Sequence, residues 1–144
     1  MGKSIAVFNQ KGGVGKTTTN VNLSASIGKL GKKVLVLDMD PQGNTTSGYG
    51  IDKDNIENTI YEVIIENLDI RDAIIKTEFE NIDIIPSASE LSGAEIELAN
   101  EKDREFKLRN SLYKIKDQYD YIFIDCPPSL GMLTINCLTA VNSV

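Results

Sequence analysis

Four short apolar runs constrain the fold of this 144-residue chain more than any other feature. Each is rich in Ile or Val and is nearly uninterrupted by polar residues. Runs of this kind are typical of strands buried on both faces, as in a parallel sheet covered by helices. The runs are Ile5–Phe8, Val34–Leu37, Ile82–Ile85 and Tyr121–Ile124. The sequence therefore predicts an α/β fold with a mostly parallel sheet flanked by helices, in a single domain over residues 1–144.

Helical signals lie between these runs, as a strand–helix–strand alternation requires. After the first run, Leu23, Ile27 and Leu30 form an apolar stripe with helical spacing. Gly31 follows where a glycine would end that helix. Two capping boxes predict helix starts, one at Thr59 with Glu62 and one at Ser92 with Glu95. A further apolar stripe consists of Leu108, Leu112 and Ile115. The last predicted helix covers Thr134 to Ala140, close to the end of the sequence.

Composition excludes several kinds of chemistry. The chain has no histidine, which excludes Ser-His-Asp triads and histidine-ligated metals. Its two cysteines, Cys126 and Cys137, are too few for a disulfide framework and are expected to be buried apolar residues. The first apolar run is too short for a signal peptide or a membrane span, so we expect a cytoplasmic protein.

Charge is distributed unevenly along the chain. Residues 1–33 carry six lysines and no acid, whereas residues 34–144 carry nine Lys or Arg against 21 Asp or Glu. The two parts therefore have net charges of +6 and −12, which indicates an anionic ligand near the N-terminal part.

A glycine-rich loop lies in that basic part, between the first run and the first predicted helix. It reads Lys11-Gly12-Gly13-Val14-Gly15-Lys16-Thr17-Thr18. Glycines let successive backbone N–H groups point at phosphate oxygens, and the helix that follows adds its positive N-terminal end. Lys16 is predicted to reach the β- and γ-phosphates, and the Thr17 hydroxyl to complete the shell of a Mg²⁺ ion.

This loop departs from the ordinary G-x-x-x-x-G-K-[ST] pattern. Gln10 stands where that pattern has its first glycine, and Lys11 adds a second lysine five residues before Lys16. A lysine at this position cannot easily reach phosphates in its own subunit, but it could reach nucleotide held by a facing subunit. The sequence thus predicts a dimer with ATP at its interface.

Three carboxylates follow predicted strands. Asp38 and Asp40 come after the second run, and Asp125 comes directly after the fourth. The carboxyl ends of parallel strands form the edge where open α/β sheets bind ligands. Carboxylates at that edge can hold Mg²⁺ directly or through water.

The motifs resemble those of one family. The segment K-G-G-V-G-K-T-T, with Lys11, resembles the deviant Walker A motif of the ParA/MinD superfamily of ATPases. Asp38-Met39-Asp40-Pro41-Gln42-Gly43-Asn44 resembles the second motif of its ParA/Soj branch, and Phe123 to Ser129 resembles the Walker B strand end. The resemblance covers the chain in motif order and implies a P-loop NTPase-like fold. Because ParA-type proteins continue with further strands and helices, we expect this chain to be the N-terminal portion of a longer protein.

The resemblance also implies roles. Residues Lys11 to Thr18 would bind ATP, Lys11, Lys16 and Asp40 would serve catalysis, and Thr17, Asp38 and Asp125 would serve Mg²⁺. In the family, the residue matching Asp40 positions the attacking water, and those matching Asp38 and Asp125 organise the Mg²⁺ shell. The family further implies an ATP-dependent homodimer, slow hydrolysis stimulated by a ParB-type partner, and non-specific binding of nucleoid DNA through the part beyond this chain. The implied function is a switch in chromosome or plasmid partitioning.

Three other functions stay open at this level. A MinD-like membrane-associated ATPase would need an amphipathic helix at the C-terminus of the whole protein, which this chain cannot show. A P-loop metabolic synthetase or kinase would have no evident use for Lys11. A nucleotide-binding module without turnover would not require Asp40.

Overall fold

The computed structural model describes residues 3–8, 14–128 and 131–141, and it describes the backbone but not the side chains of residues 14–20. Five strands form one sheet in the order β1-β5-β2-β4-β3. The strands are β1 (Lys3–Val7), β2 (Val34–Asp38), β3 (Ile75–Lys76), β4 (Ile82–Ile85) and β5 (Tyr121–Asp125). The helices are α1 (Val14–Lys29), α2 (Asn44–Gly48), α3 (Ile60–Ile65), α4 (Ala94–Leu98), α5 (Lys107–Leu112) and α6 (Met132–Ala140).

All four predicted strands are present, and they are mutually parallel. β5 lies between β1 and β2, and β2 also pairs with β4. β2 is buried along its whole length, as its continuous apolar sequence predicts. The α/β fold with a mostly parallel sheet is therefore confirmed.

Strand β3 was not predicted. It has two residues, Ile75 and Lys76, and it pairs antiparallel with β4 at the sheet edge. Two residues carry no readable alternation of polar and apolar positions, so periodicity could not reveal this strand.

Helix α1 packs on the sheet through only part of the predicted stripe, since Ile27 packs against the smaller core cluster but Leu23 and Leu30 do not. Leu23 and Leu30 are 48% and 79% exposed, whereas Ser24 and Gly28 are buried. A side-chain carbon at Gly28 would lie 2.5 Å from the carbonyl oxygen of Glu80. The helix approaches the chain before β4 so closely that only small residues fit at this contact, and the prediction for Leu23 and Leu30 was wrong for this reason. The predicted end is confirmed, since α1 stops at Lys29 and Gly31 has φ +87°.

One of the two predicted capping boxes is present in the structure, and the other is not. Thr59 caps α3 by accepting from the N–H of Tyr61, while Glu62 accepts from the N–H of Thr59 at 2.9 Å, as predicted. The box at Ser92 was wrong, because a 3₁₀ turn covers Ser89–Gly93 and α4 begins at Ala94 without a side-chain cap.

Two apolar clusters form the core on either side of the sheet. The larger contains the buried residues of helices α3 to α6, including the predicted Leu108, Leu112 and Ile115. Cys126 and Cys137 lie in it with no exposed surface, which confirms their prediction as buried residues. None of the described helices is both long and apolar enough to cross a membrane.

Candidate nucleotide site at the carboxyl edge of the sheet

Two carboxylates meet at the carboxyl ends of adjacent strands. Asp38 is the last residue of β2 and Asp125 the last of β5, and the two are paired in the strand register. Asp125 is also paired with Val7, the last residue of β1. The chain therefore leaves β1 towards α1 at the same edge that carries both carboxylates, which is the edge where parallel α/β sheets bind ligands.

Asp38 is fully buried and surrounded by donors. Its Oδ1 accepts from the N–H of Asp40 at 3.1 Å, and its Oδ2 accepts from the N–H and hydroxyl of Thr46 at 2.9 and 2.7 Å. Burial and the nearby charge of Asp125 raise the pKa of Asp38 to about 6, although the hydrogen bonds from Thr46 and Asp40 oppose the rise. Two buried carboxylates this close favour a cation between or beside them, because each disfavours the charge of the other.

Asp125 is 3% exposed, and its Oδ2 accepts from the hydroxyl of Thr45 at 2.5 Å. Thr45 and Thr46 lie in the first turn of α2, so this short helix contacts both carboxylates. Sequence reasoning missed both threonines. The only sequence signal for them was the position of two hydroxyl residues shortly after the Asp38 segment. The carboxylate that Thr45 contacts lies 80 residues away in sequence.

A tight turn leads from β2 to α2. The Oδ1 of Asp40 accepts from the N–H of Gln42 at 3.0 Å, and the carbonyl of Asp40 accepts from the N–H of Gly43 at 2.9 Å. Gly43 has φ +66°, a conformation that glycine adopts without strain. The hydroxyl of Ser87, which follows β4, also donates to the Asp40 carbonyl. The backbone of Asp40 is therefore fixed from two sides.

Asp40 is 8% exposed and lines a cavity of about 330 Å³. The cavity lies between the segment that follows β2, the segment that follows β5 and the region of α4. Its other lining residues are Pro41, Gln42, Leu91, Ser92, Glu95, Pro127, Pro128 and Leu133. A water molecule or small polar group in this space would contact Asp40.

The predicted phosphate loop is only partly described. Lys11, Gly12 and Gly13 lie outside the described residues. Val14, Gly15, Lys16, Thr17 and Thr18 form the first turn and a half of α1, and the positions of their side chains lie outside the description. The 16-residue helix α1 begins at this edge of the sheet, so its first N–H groups and positive dipole end lie there. The assignment of these residues to phosphate remains a prediction.

The carboxylates of Asp38 and Asp125 fit a Mg²⁺ ion that also binds phosphate and water. Within residues 3–8, 14–128 and 131–141, no group of three or more His, Cys, Asp or Glu side chains could hold a metal ion. Mg²⁺ commonly takes one or two carboxylates and completes its shell with phosphate oxygens and water. Asp38 and Asp125 at the edge, beside a predicted phosphate loop, match that pattern and not an all-protein metal cage.

Comparisons with known proteins show the family to which the chain is similar. The AAA_31 family, described as an AAA domain, matches residues 2–144. The chain is 56% identical to the sporulation initiation inhibitor protein Soj of Bacillus subtilis, covering 100% of this chain and 57% of Soj. It is 50% identical to the chromosome partitioning protein ParA of Myxococcus xanthus, covering 100% of this chain and 51% of that protein.

A solved structure gives the same fold. The crystal structure of cobyrinic acid a,c-diamide synthase from Mycobacterium smegmatis with bound ADP and magnesium matches with a TM-score of 0.91 and 40% identity. The match covers 98% of this chain and 57% of the synthase chain. The chain thus spans about half the length of the proteins that it matches. It belongs to the AAA_31 domain family, and within that family it is of the ParA/Soj type.

Proposed function

We propose that this chain is a nucleotide-binding domain, over residues 1–144, of a partition ATPase that binds ATP with Mg²⁺ and acts as a dimerisation switch. The observation that carries the proposal is the pairing of Asp38 with Asp125 at the strand ends where α1 begins. The mycobacterial structure of similar fold holds ADP and magnesium, which supports the same class of ligand here.

Each predicted residue has a defined part in this proposal. Backbone N–H groups of residues 11–18 hold the phosphates, and the Lys16 ammonium contacts the β- and γ-phosphates. Asp125 and the Thr17 hydroxyl would hold Mg²⁺, which offsets the phosphate charge when it is bound. Asp38 stays a predicted contributor to that site. Since three donors already contact its carboxylate, it also fixes the turn that carries Asp40.

Asp40 has the water-positioning role in this proposal. Its backbone carbonyl accepts from Gly43 and Ser87, and its side chain accepts from the N–H of Gln42 and lines a cavity large enough for water. A carboxylate in a fixed position orients an attacking water, which lowers the barrier through orientation and not through ground-state affinity. The expected hydrolysis is slow in the isolated protein and is stimulated by a ParB-type partner.

The proposed switch depends on Lys11. In an ATP-bound dimer, Lys11 of each subunit would contact the phosphates of its partner, so dimerisation and nucleotide binding are coupled. The dimer would bind DNA without sequence specificity through parts of the protein beyond this chain and would associate with the nucleoid in the cytoplasm. Hydrolysis would separate the subunits.

A metabolic synthetase is the second candidate, because the mycobacterial structure is named as a diamide synthase. Identity is higher to Soj and ParA, at 56% and 50%, than to that synthase, at 40%. These values favour the partition ATPase. A synthetase would also make ADP only in the presence of its second substrate, whereas an ATPase makes ADP from ATP and water alone.

Sedimentation of the full-length protein tests the switch. The Asp40→Ala variant, in which turnover should be suppressed, is expected to be a dimer with Mg·ATP and a monomer with ADP. Adding Lys11→Ala should leave a monomer that still binds ATP. Adding Lys29→Ala, an exposed lysine in the last turn of α1, should leave the dimer intact. A Lys11→Ala protein that dimerises as well as the Lys29→Ala control would contradict the proposed contact between subunits.

A further inference from the structure

The N-terminus of α6 is capped by a side chain from another helix. Glu95, on α4, accepts from the N–H of Met132 and, at 3.4 Å, from the N–H of Leu133 through the same Oε1 atom. These are two of the first N–H groups of α6, which have no acceptor within the helix. The residue that precedes the helix, Gly131, has no side chain with which to cap it. The Glu95 carboxylate therefore supplies the acceptor and the negative charge that a helix N-terminus favours.

Gly131 leaves open the space that the Glu95 carboxylate fills. A side-chain carbon at Gly131 would collide with the Glu95 carboxylate and lie 2.8 Å from its Cδ. The backbone at Gly131 is extended, with φ −128° and ψ −167°, which any residue can adopt. A larger residue at position 131 would therefore displace the Glu95 carboxylate from this contact, although the backbone conformation would permit it.

The contact lies at the far end of the segment that leaves the candidate site. β5 ends at Asp125 and α6 begins at Met132, so only residues 126–131 connect the carboxylate to the capped helix. Glu95 also lines the same cavity of about 330 Å³ as Asp40, together with Pro127 and Pro128 of the connecting segment. Leu133, in the first turn of α6, lines this cavity too, so fixing the start of α6 fixes part of the cavity wall.

Helix α4 is a firm base for this contact. Ala94 and Leu98 on its inner face are buried in the larger core cluster, while Glu95 points away from that core and is exposed. The Glu95 side chain thus extends from a helix buried in the core to the N-terminus of α6.

We propose that Glu95 is a positioning residue for ATP hydrolysis, which holds the start of α6, with Leu133, in its working position at the cavity that Asp40 lines. The inference rests on the proposed ATPase function. Because Glu95 holds the start of α6 by accepting from its N–H groups, Glu95→Gln should keep the role through its amide oxygen, whereas Glu95→Ala should lose it. Small displacements of groups around a reacting centre cost up to about 100-fold in rate, so a loss of about tenfold in kcat with unchanged KM is expected for Glu95→Ala.

The test measures steady-state ATP hydrolysis by the full-length protein, with Glu95→Gln, Glu95→Ala and the matched control Glu97→Ala. Glu97 lies on the same helix but accepts from the Tyr61 hydroxyl at 2.6 Å, away from α6. Glu95→Gln and Glu97→Ala should stay within about twofold of the parent in kcat, since neither removes the acceptor that holds α6. A Glu95→Ala protein that unfolds at lower urea concentration but keeps its kcat would refute the positioning role and leave a purely structural cap. A Glu95→Gln protein as slow as Glu95→Ala would refute it too, because the charge and not the acceptor would then matter.

Unfolding measurements test the contact without ATP. Gly131→Ala should lower the urea midpoint of the parent, and it should have little effect in the Glu95→Ala background, where the space is vacant. Equal effects in both backgrounds would overturn the contact itself. A parent that hydrolyses no ATP would refute the proposed function, whereas an active parent with an unaffected Glu95→Ala variant would refute only the role of Glu95.

Discussion

The Thr46 hydroxyl joins three parts of the candidate site, and removing it should weaken the fold in a pH-dependent way. It donates to Asp38 Oδ2 at 2.7 Å and accepts from the N–H of Ser87 at 3.0 Å, in a fully buried position. Thr46→Val keeps the side-chain shape but removes both hydrogen bonds. A hydrogen bond to a charged group is worth about 1.5–3 kcal/mol, and a buried N–H left without an acceptor costs about 1–3 kcal/mol.

We expect Thr46→Val to lower the free energy of unfolding by about 3 kcal/mol at pH 8. The two contributions given above add together. The lower half of their summed range applies, because Asp38 keeps the N–H donors of Thr46 and Asp40. With a urea dependence of about 2 kcal/mol per molar for a small domain, the unfolding midpoint should fall by about 1.5 M. Thr46→Ser is the matched control, since it keeps the hydroxyl and loses one methyl group, worth about 1 kcal/mol.

The sign of the pH dependence follows from Asp38. Its pKa is raised from 3.8 to about 6, so the native state binds the proton more tightly than the unfolded chain. The stability that this carboxyl contributes is complete below pH 3.8 and is lost as the pH rises through about 6. Because the Thr46 donor favours the charged form, its removal should raise the pKa of Asp38 further. The loss caused by Thr46→Val should therefore be larger at pH 8 than at pH 5.

Urea unfolding at both pH values checks this reasoning. A Thr46→Val protein within about 1 kcal/mol of Thr46→Ser at pH 8 would refute the two buried hydrogen bonds. If Thr46→Val lowers the free energy of unfolding equally at pH 5 and pH 8, its effect does not depend on the charge of Asp38 and the reasoning is refuted.

Three further outcomes are expected. Gly28→Ala should destabilise the protein by about 1–3 kcal/mol in urea unfolding despite the better helix propensity of alanine, since the new carbon would meet the Glu80 carbonyl. Asp40→Ala should bind Mg·ATP as tightly as the parent but hydrolyse it at least tenfold more slowly, and a normal rate would remove Asp40 from the mechanism. Gly12→Val should bind ATP yet remain a monomer in sedimentation, whereas a Gly12→Val dimer would contradict the close approach of two subunits at this loop.

Local patterns in the sequence were enough to place the sheet and the carboxyl edge. Four apolar runs became four parallel strands, and Asp38 and Asp125 lie at strand ends as predicted, because short runs rich in β-branched residues, separated by helical patterns, favour buried strands. The order of the strands was not predicted, since no local pattern indicates that β5 lies between β1 and β2.

The site contacts that the sequence did not reveal join segments that are distant in sequence. Thr45 contacts a carboxylate 80 residues away, and nothing near Thr45 in the sequence indicates that partner. Glu95 was assigned to a local capping box with Ser92, but its carboxylate contacts the start of α6 instead. A capping box is read from four adjacent residues, and it cannot show that another helix terminus competes for the same carboxylate.

Calorimetric titration of ATP with Mg²⁺ into the full-length protein and its Lys16→Ala and Lys29→Ala variants tests the central claim most directly. Charge-assisted hydrogen bonds to phosphate are each worth roughly 1.5–3 kcal/mol, and about 1.4 kcal/mol is a tenfold change in affinity. Lys16→Ala should therefore bind ATP at least tenfold more weakly than the parent, and Lys29→Ala should bind as the parent does. A folded Lys16→Ala protein with parental affinity for ATP would contradict the assignment of a phosphate site to this loop.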